Sequence, residues 1–327
     1  MRRLIATAAT VAAALALSAC GTTEPAADDT DKASAEPTSI TLTDATGAKV
    51  ELDGPAKKVV GTEWNVVESL VTLGVDPVGV ADVKGYKAWA SGVPLKNEPK
   101  DIGTRGEPSM DTVAALAPDL IVATSDLPAP AVKQLREVAP VLTVTSADGK
   151  DQIGQMLKNL DLIAQATGTE TKADEAKKSL DTKIAEGSKA LADAGLGGAQ
   201  FAFADGYVQS NQVSVRPYTG TSLLGAVNEK LGLKNAWKME GDPAYGLAST
   251  DVEGLTSLGD VHFAYIGNKT DASSDPFGKE LADNAVWKNL EFVKKGNVHR
   301  LDDGIWMFGG PASMEAYVDA VVAALTK

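Results

Sequence analysis

Short apolar runs alternate with helix-length amphipathic stretches through most of this chain, and few architectures accept that alternation. It argues for α/β layers of the parallel type. Strands are expected near residues 59–61, 78–80, 120–123 and 141–144, with helices between them at 65–73 and 109–116. Ser109, after Pro108, suits the N-cap of the second of these helices. From 151 to 168 the apolar residues Ile153, Met156, Leu157, Leu160, Ile163 and Ala164 keep a helical period, with no Gly or Pro after Gly154 until the end. This stretch is the best candidate for one long helix joining two lobes. Residues 174–194 read as a second, largely solvated helix. Strands follow at 199–204, 261–266 and 298–301, and Met314, Tyr317, Val318, Val321, Val322 and Leu325 mark a closing amphipathic helix. The expected fold class is therefore α/β: one lobe over 39–150, a connecting helix over 151–168 and a second lobe over 169–327.

The first 38 residues read differently. Arg2 and Arg3 precede an apolar stretch reaching Ala19, which is shorter than the roughly 20 residues a bilayer core requires. It ends in Leu17-Ser18-Ala19-Cys20-Gly21, small residues around the chain's single cysteine. Residues 1–19 are expected to be a cleaved lipoprotein signal peptide, and the thiol of Cys20 the point of lipidation. The expected tether, 20–38, is after Cys20 mostly Thr, Ala, Asp, Pro, Glu and Ser with almost no apolar content, the composition of a flexible leash. The mature chain is thus expected on the outer face of the cytoplasmic membrane, held by its lipid, and with Cys20 consumed it can form no intrachain disulfide.

Charge and chemistry narrow the function. The formal charge of −13 becomes −15 once Arg2 and Arg3 leave with the signal, which argues against nucleic acid or acidic lipid as a partner. There is no G-x-S-x-G elbow, P-loop or H-E-x-x-H, so the chain is not expected to be an enzyme. Its two histidines, His262 and His299, fall inside expected strands, where a histidine is more often structural than catalytic. They cannot easily build a transition-metal site, so no metal is expected to bind directly, and one that is carried should arrive already chelated. The Gly309-Gly310-Pro311 turn before the last helix could hold an anion on its N–H groups, although such turns are more often punctuation.

Aromatic residues and arginines are the remaining resource. Trp89 and Trp306 stand near glycines, at what reads as a strand or loop edge, and suit the wall of a cleft for a bulky organic ligand. Trp64, Trp237 and Trp287 are assigned first to core packing. Arg105, in Gly103-Thr104-Arg105-Gly106-Glu107, sits in an exposed-looking loop where its fork could donate to oxygen atoms, and Arg216 is a second candidate.

There is also an internal echo. Ser109-Met110-Asp111-Thr112-Val113 leads into a strand at 120, and Thr250-Asp251-Val252-Glu253-Gly254-Leu255 leads into one at 261. In each, an acidic residue in the first helical turn stands two residues before an apolar anchor. The pattern alone does not choose between two related lobes and two ordinary helix–strand units.

An ordered set of segments resembles the substrate-binding proteins of iron–siderophore ABC importers. It comprises Val59-Val60-Gly61-Thr62-Glu63-Trp64, residues 73–82, Gly85-Tyr86-Lys87-Ala88-Trp89, Asp101-Ile102-Gly103-Thr104-Arg105-Gly106-Glu107-Pro108-Ser109 and residues 117–122. Asn235-Ala236-Trp237, Ala244-Tyr245-Gly246 and Gly304-Ile305-Trp306-Met307-Phe308-Gly309 continue it, so that it covers nearly the whole mature chain. The resemblance implies two α/β lobes joined by one rigid helix, with the ligand in the cleft between them. It is nearest to the ferric-hydroxamate binders, where the arginine of a G-x-R-x-E-P loop bonds hydroxamate oxygens and aromatics line the pocket.

Carried over by motif, Trp89 and Arg105 would contact ligand from the first lobe, and Tyr245, Trp306 and Phe308 from the second. Tyr245 and Phe308 depart from the family's tryptophan and tyrosine, and the tyrosine that follows the strand at 119–123 in those relatives has no counterpart at Leu127-Pro128. The resemblance also gives the echo a meaning: Asp111 and Glu253 would dock onto the two subunits of an ABC permease, Asp111 being one methylene shorter than the usual glutamate. The expected protein is a monomeric, lipid-anchored receptor for a ferric siderophore, with no cofactor of its own. The nearest rival is the same fold carrying cobalamin or haem, the latter with Tyr245 as iron ligand; a scaffold or adhesion lipoprotein is a more distant one.

Overall fold

The computed structural model describes residues 39–209, 212–271 and 274–327. The expected leader, Cys20 and tether lie outside the described residues. A hairpin of β1 (Ile40–Thr43) and β2 (Lys49–Leu52) opens the described chain and turns Leu42, Val50 and Leu52 inward.

The first sheet contains β3 (Val59–Gly61), β4 (Gly79–Val80), β5 (Lys100–Asp101), β6 (Leu120–Thr124) and β7 (Val141–Val144). They are all parallel, in the order β5-β4-β3-β6-β7. β3, β6 and β7 are buried on both faces, which is why they stand out in the sequence as unbroken apolar runs. The crossovers carry α1 (Trp64–Thr72), α2 (Val83–Trp89), α3 (Met110–Leu116) and α4 (Ala129–Arg136). Ser109 caps α3 as expected, its hydroxyl accepting from the Thr112 N–H at 3.4 Å. The strand order reverses between β3 and β6, and ligands of open α/β sheets collect beyond the carboxyl ends of strands at such a switch point.

α5 (Gln152–Thr167) starts after the Asp151 cap and stops at Gly168, whose φ of 66° ends it in a left-handed turn. Its Leu160, Ile163 and Ala164 pack with the first-lobe residues Leu70, Leu120 and Leu142. Its Ile153, Met156 and Leu157 pack on the cluster containing Phe201, Leu224 and Tyr317 of the second lobe. One helix thus serves both lobes. α6 (Glu170–Asp193) follows and begins four residues before the expected 174, since Thr169 stands at its N-cap.

The second sheet contains β8 (Gln200–Gln209), β9 (Gln212–Pro217), β10 (Lys234–Asn235), β11 (His262–Tyr265) and β12 (Val298–Arg300). Four of them run parallel in the order β10-β8-β11-β12, with α7 (Leu223–Lys230), α8 (Ala285–Asn289), α9 (Glu291–Lys294) and α10 (Pro311–Leu325) around them. β9 pairs antiparallel with the far half of β8, so the strand expected at 199–204 is longer and continues into a hairpin.

Two further expectations change. Trp89 is the last residue of α2, not part of a strand or loop edge; Gly85 disguised this short helix, whose Asp82 cap accepts from the Gly85 N–H at 2.9 Å. Glu253 precedes a single 3-10 turn, Gly254–Ser257, rather than an α-helix. No helix of the described residues is long and apolar enough to cross a membrane.

Candidate ligand cleft

Beyond the carboxyl end of β3 the chain turns at Thr62 and enters α1 through Glu63. The Glu63 carboxylate accepts from the Trp64 N–H at 2.8 Å, which fixes the first turn, and the same Oε1 accepts from Arg105 Nη1 at 2.8 Å. Arg105 is thereby held with its guanidinium carbon 4.0 Å from the Trp64 ring centroid and 5.3 Å from that of Trp306. The loop arginine is accordingly half-buried and paired rather than free in solvent.

Trp64 is core and wall at once. Its side chain is buried and its indole N–H donates to the Ala81 carbonyl at 3.1 Å, as befits packing, yet Arg105 lies over its ring. Trp237 and Trp287 are buried in the second lobe, away from this wall. The Trp306 ring meets Trp64 edge-on at 4.7 Å and Phe308 at 5.2 Å. Phe308 in turn meets Tyr245 at 5.6 Å and Tyr218 at 5.8 Å. The wall is therefore a continuous chain of rings contributed by both lobes. The Trp306 indole N–H is buried and finds no acceptor among the described residues.

Arg216 faces the far end of this chain, 5.6 Å from the Phe308 centroid. It lies directly across from Asp205 in the β8–β9 ladder and grips it with Nε, 2.8 Å from Oδ1, and with Nη2. The Tyr218 hydroxyl joins the same carboxylate at 3.1 Å. Burial and the Asp205 charge push the Tyr218 phenol well above its ordinary value, so it remains a neutral donor.

Tyr245 spans the lobes. Its hydroxyl donates to Asp126, in the loop after β6, and burial followed by that hydrogen bond pushes its phenol up. Behind Tyr245 and Phe308 a cavity of about 40 Å³ reaches Asn65 and Ser69 of α1 and Gln155 of α5. Its lining mixes these polar side chains with Val66, Val144, Met156 and Ile163.

The structure thus brings Arg105, Arg216, Tyr245, Trp306 and Phe308 together. Trp89 packs half-buried on the same interlobe core, but among the described residues it is outside the chain of ring contacts. Asp111 is exposed in the first turn of α3 and Glu253 is exposed before its 3-10 turn, so the two echo residues occupy corresponding places ahead of β6 and β11. Their anchors Val113 and Leu255 are fully buried. Sequence reasoning missed Glu63, Asp126, Asp205 and Tyr218. The signal available for Asp205 was an acidic residue closing the apolar run Phe201-Ala202-Phe203-Ala204.

The two histidines are strand residues as expected, and they face each other from β11 and β12 with His262 Nδ1 3.2 Å from His299 Nε2. Among the described residues no group of three or more His, Cys, Asp or Glu side chains could hold a metal ion.

A profile of the periplasmic binding protein family matches residues 59–304. The chain belongs to that family. Within it, the chain is similar to the iron(3+)-hydroxamate-binding protein FhuD of Escherichia coli, with 24% identity over 261 residues that cover 80% of this chain and 84% of the relative. It is also similar to the Fe(3+)-citrate-binding protein YfmC of Bacillus subtilis, with 29% identity over 284 residues covering 82% and 80%. Among crystal structures, the Fe3+–Desferal-bound siderophore-binding protein FhuD of Vibrio cholerae superposes with a TM-score of 0.74 at 23% identity, over 83% of this chain and 98% of that one. The fold is thus the two-lobed one of these binding proteins, with two α/β lobes joined by a long helix.

Proposed function

We propose that this chain is an extracytoplasmic receptor, lipid-anchored through Cys20, that binds a ferric siderophore of the hydroxamate type and delivers it to an ABC permease. The observation that carries the reading is the charge of the cleft. Two guanidinium groups, Arg105 and Arg216, stand there with three carboxylates, Glu63, Asp205 and Asp126. Three hydroxamates, each a monoanion, neutralise Fe3+, whereas three catecholate dianions leave a trianion. A cleft without excess positive charge complements the neutral chelate and opposes the trianion.

In this reading the arginine forks keep donors directed at ligand oxygens while their carboxylate partners hold them in place, an arrangement that spends little ordering entropy on binding. Trp64, Trp306, Phe308 and Tyr245 cover the organic shell, and Trp89 flanks it. Iron enters as part of the ligand, in keeping with the lack of a protein donor set of its own among the described residues. Haem is less well served: an iron-ligating tyrosine acts as phenolate, and burial together with Asp126 pushes Tyr245 away from that form. Asp111 and Glu253, exposed ahead of equivalent strands, are the proposed contacts to the two permease subunits.

The test is a tryptophan-fluorescence titration with Fe3+–Desferal, iron-free Desferal, a ferric tris-catecholate, ferric citrate, cobalamin and haem. Saturable sub-micromolar quenching by Fe3+–Desferal, weakened in Arg105→Ala, supports the reading. Tight binding of the tris-catecholate, cobalamin or haem in its place overturns the ligand assignment, and no binding of any of them overturns the receptor reading.

A further inference from the structure

The turn Gly309-Gly310-Pro311 does hold an acidic group, and the group is the protein's own. Glu68, in the middle of α1, is fully buried, and its carboxylate crosses from the first lobe to the start of α10 in the second. Oε1 accepts from the Gly310 N–H at 2.8 Å and the Ser313 N–H at 2.9 Å, and Oε2 lies 2.7 Å from Ser313 Oγ. A Cβ at Gly309 would overlap this carboxylate, so glycine is what permits the approach.

The joint lies next to the proposed ligand wall at both ends. Trp306 and Phe308 run directly into Gly309 and Gly310, while α1 starts with Glu63 and Trp64, the residues that seat Arg105. The geometry accommodates both protonation states of Glu68. Oε1 serves two N–H donors in either form, and Ser313 Oγ donates to a carboxylate or accepts from a carboxylic acid.

We propose that Glu68 is a positioning residue for the ligand cleft: it fastens the Trp306–Phe308 wall to α1. This rests on the reading of that wall as the ligand site. Burial, against the opposing pull of its three hydrogen bonds, raises Glu68 from 4.5 to about 7 in the closed joint. Tyr86 of α2 is the titratable group that senses the charge of Glu68: its phenol is pushed up by burial and by Glu68, and it stays protonated and neutral. On the helices packed against α1, Lys183 of α6 pairs with Asp319 of α10 and Lys177 of α6 with Asp161 of α5, and the Glu68 shift is set by burial and its hydrogen bonds.

The experiment is hydrogen exchange at the Gly310 and Ser313 amides of the full-length chain without added ligand, from pH 5 to 8, corrected for intrinsic exchange rates. Opening returns Glu68 to its ordinary value, so wild-type protection should fall up to about tenfold per pH unit toward 7 and level off above it. Glu68→Gln keeps every partner, since its amide oxygen takes both N–H groups and its NH2 donates to Ser313 Oγ, and its protection should be retained and flat with pH. Glu68→Leu should lose protection at every pH. A Glu68→Gln profile with the wild-type slope, or Glu68→Leu with protection intact, overturns the proposal; if Glu68→Leu does not fold, Glu68→Gln decides. A parallel Fe3+–Desferal titration separates the two readings: the expected exchange slope without Desferal binding sinks the ligand assignment alone, and binding without the slope sinks the joint alone.

Discussion

Arg216 and Asp205 are direct cross-strand partners in the β8–β9 hairpin, and the carboxylate is much the more buried of the two. The arginine can therefore reach the cleft while its partner anchors it from within the sheet. Breaking a buried ion pair from one side costs about 3–5 kcal/mol because it strands the other charge. With the Arg216 side chain 37% exposed, Arg216→Met should cost less, about 2 kcal/mol. Adding Asp205→Asn should recover part of that loss, so that urea denaturation of the two single variants and the double variant gives a clear favourable coupling. Additive losses would show that the pair does not act as a unit.

Glu63 ties Arg105 to the first turn of α1, and this makes separate predictions for the two residues. Arg105→Ala removes charge-assisted donors worth about 1.5–3 kcal/mol, and should weaken Fe3+–Desferal binding by about 10- to 100-fold in a fluorescence titration. Glu63→Gln leaves a donor-capable site with one more net positive charge. It should shift preference toward an anionic ferric tris-catecholate, read as the ratio of the two dissociation constants. An unchanged ratio would mean that cleft charge does not select the chelate.

Asp111 and Glu253 offer a test that leaves the cleft alone. Both are exposed, outside the ring chain, and ahead of equivalent strands. Asp111→Ala and Glu253→Ala should each leave Fe3+–Desferal affinity within about twofold and stability within about 0.5 kcal/mol. Uptake of labelled ferric chelate by cells dependent on this receptor should nonetheless fall sharply, and further in the double variant. Undiminished uptake in the double variant would remove these residues from permease docking.

The fold was readable in the sequence where burial is two-sided and local. β3, β6 and β7 appear as unbroken apolar runs, and α5 as a clean period bounded by Asp151 and Gly168. The β8–β9 hairpin was not, because Asp205 and Gly206 interrupt the apolar run that an antiparallel partner then extends. At the candidate site, Arg105 and Trp306 stood out by type and by neighbours, and Phe308 only through the family resemblance. Their partners Glu63, Asp126 and Asp205 did not, since each looks like an ordinary cap, loop acid or strand end until the sheets bring it to the cleft. Glu68 was hidden most thoroughly: an acid inside Val66-Val67-Glu68-Ser69-Leu70 has meaning only once α10 arrives from 242 residues further along the chain.

The half-buried histidine pair and the buried Glu68 pull stability in opposite directions as pH changes, so their variants can be told apart. His262 and His299 are held below their ordinary 6.5, chiefly by burial, and His299 further by the charge of His262. The unfolded chain therefore takes up protons that the folded one does not as pH falls through about 6.5, and this pair's contribution is lost on acidification. Glu68 is raised to about 7, so between 4.5 and 7 the folded chain holds the extra proton; its contribution is complete below 4.5 and is lost as pH rises through 7. Each proton accounts for at most about 1.4 kcal/mol per pH unit. Glu68→Gln should therefore lose stability more steeply than wild type as pH is lowered from 6.5 to 5, whereas His262→Gln with His299→Gln should gain stability relative to wild type over the same range. Urea midpoints at constant m-value measure both. Parallel profiles for all three proteins would show that neither the histidine pair nor the interlobe carboxylate titrates in that window.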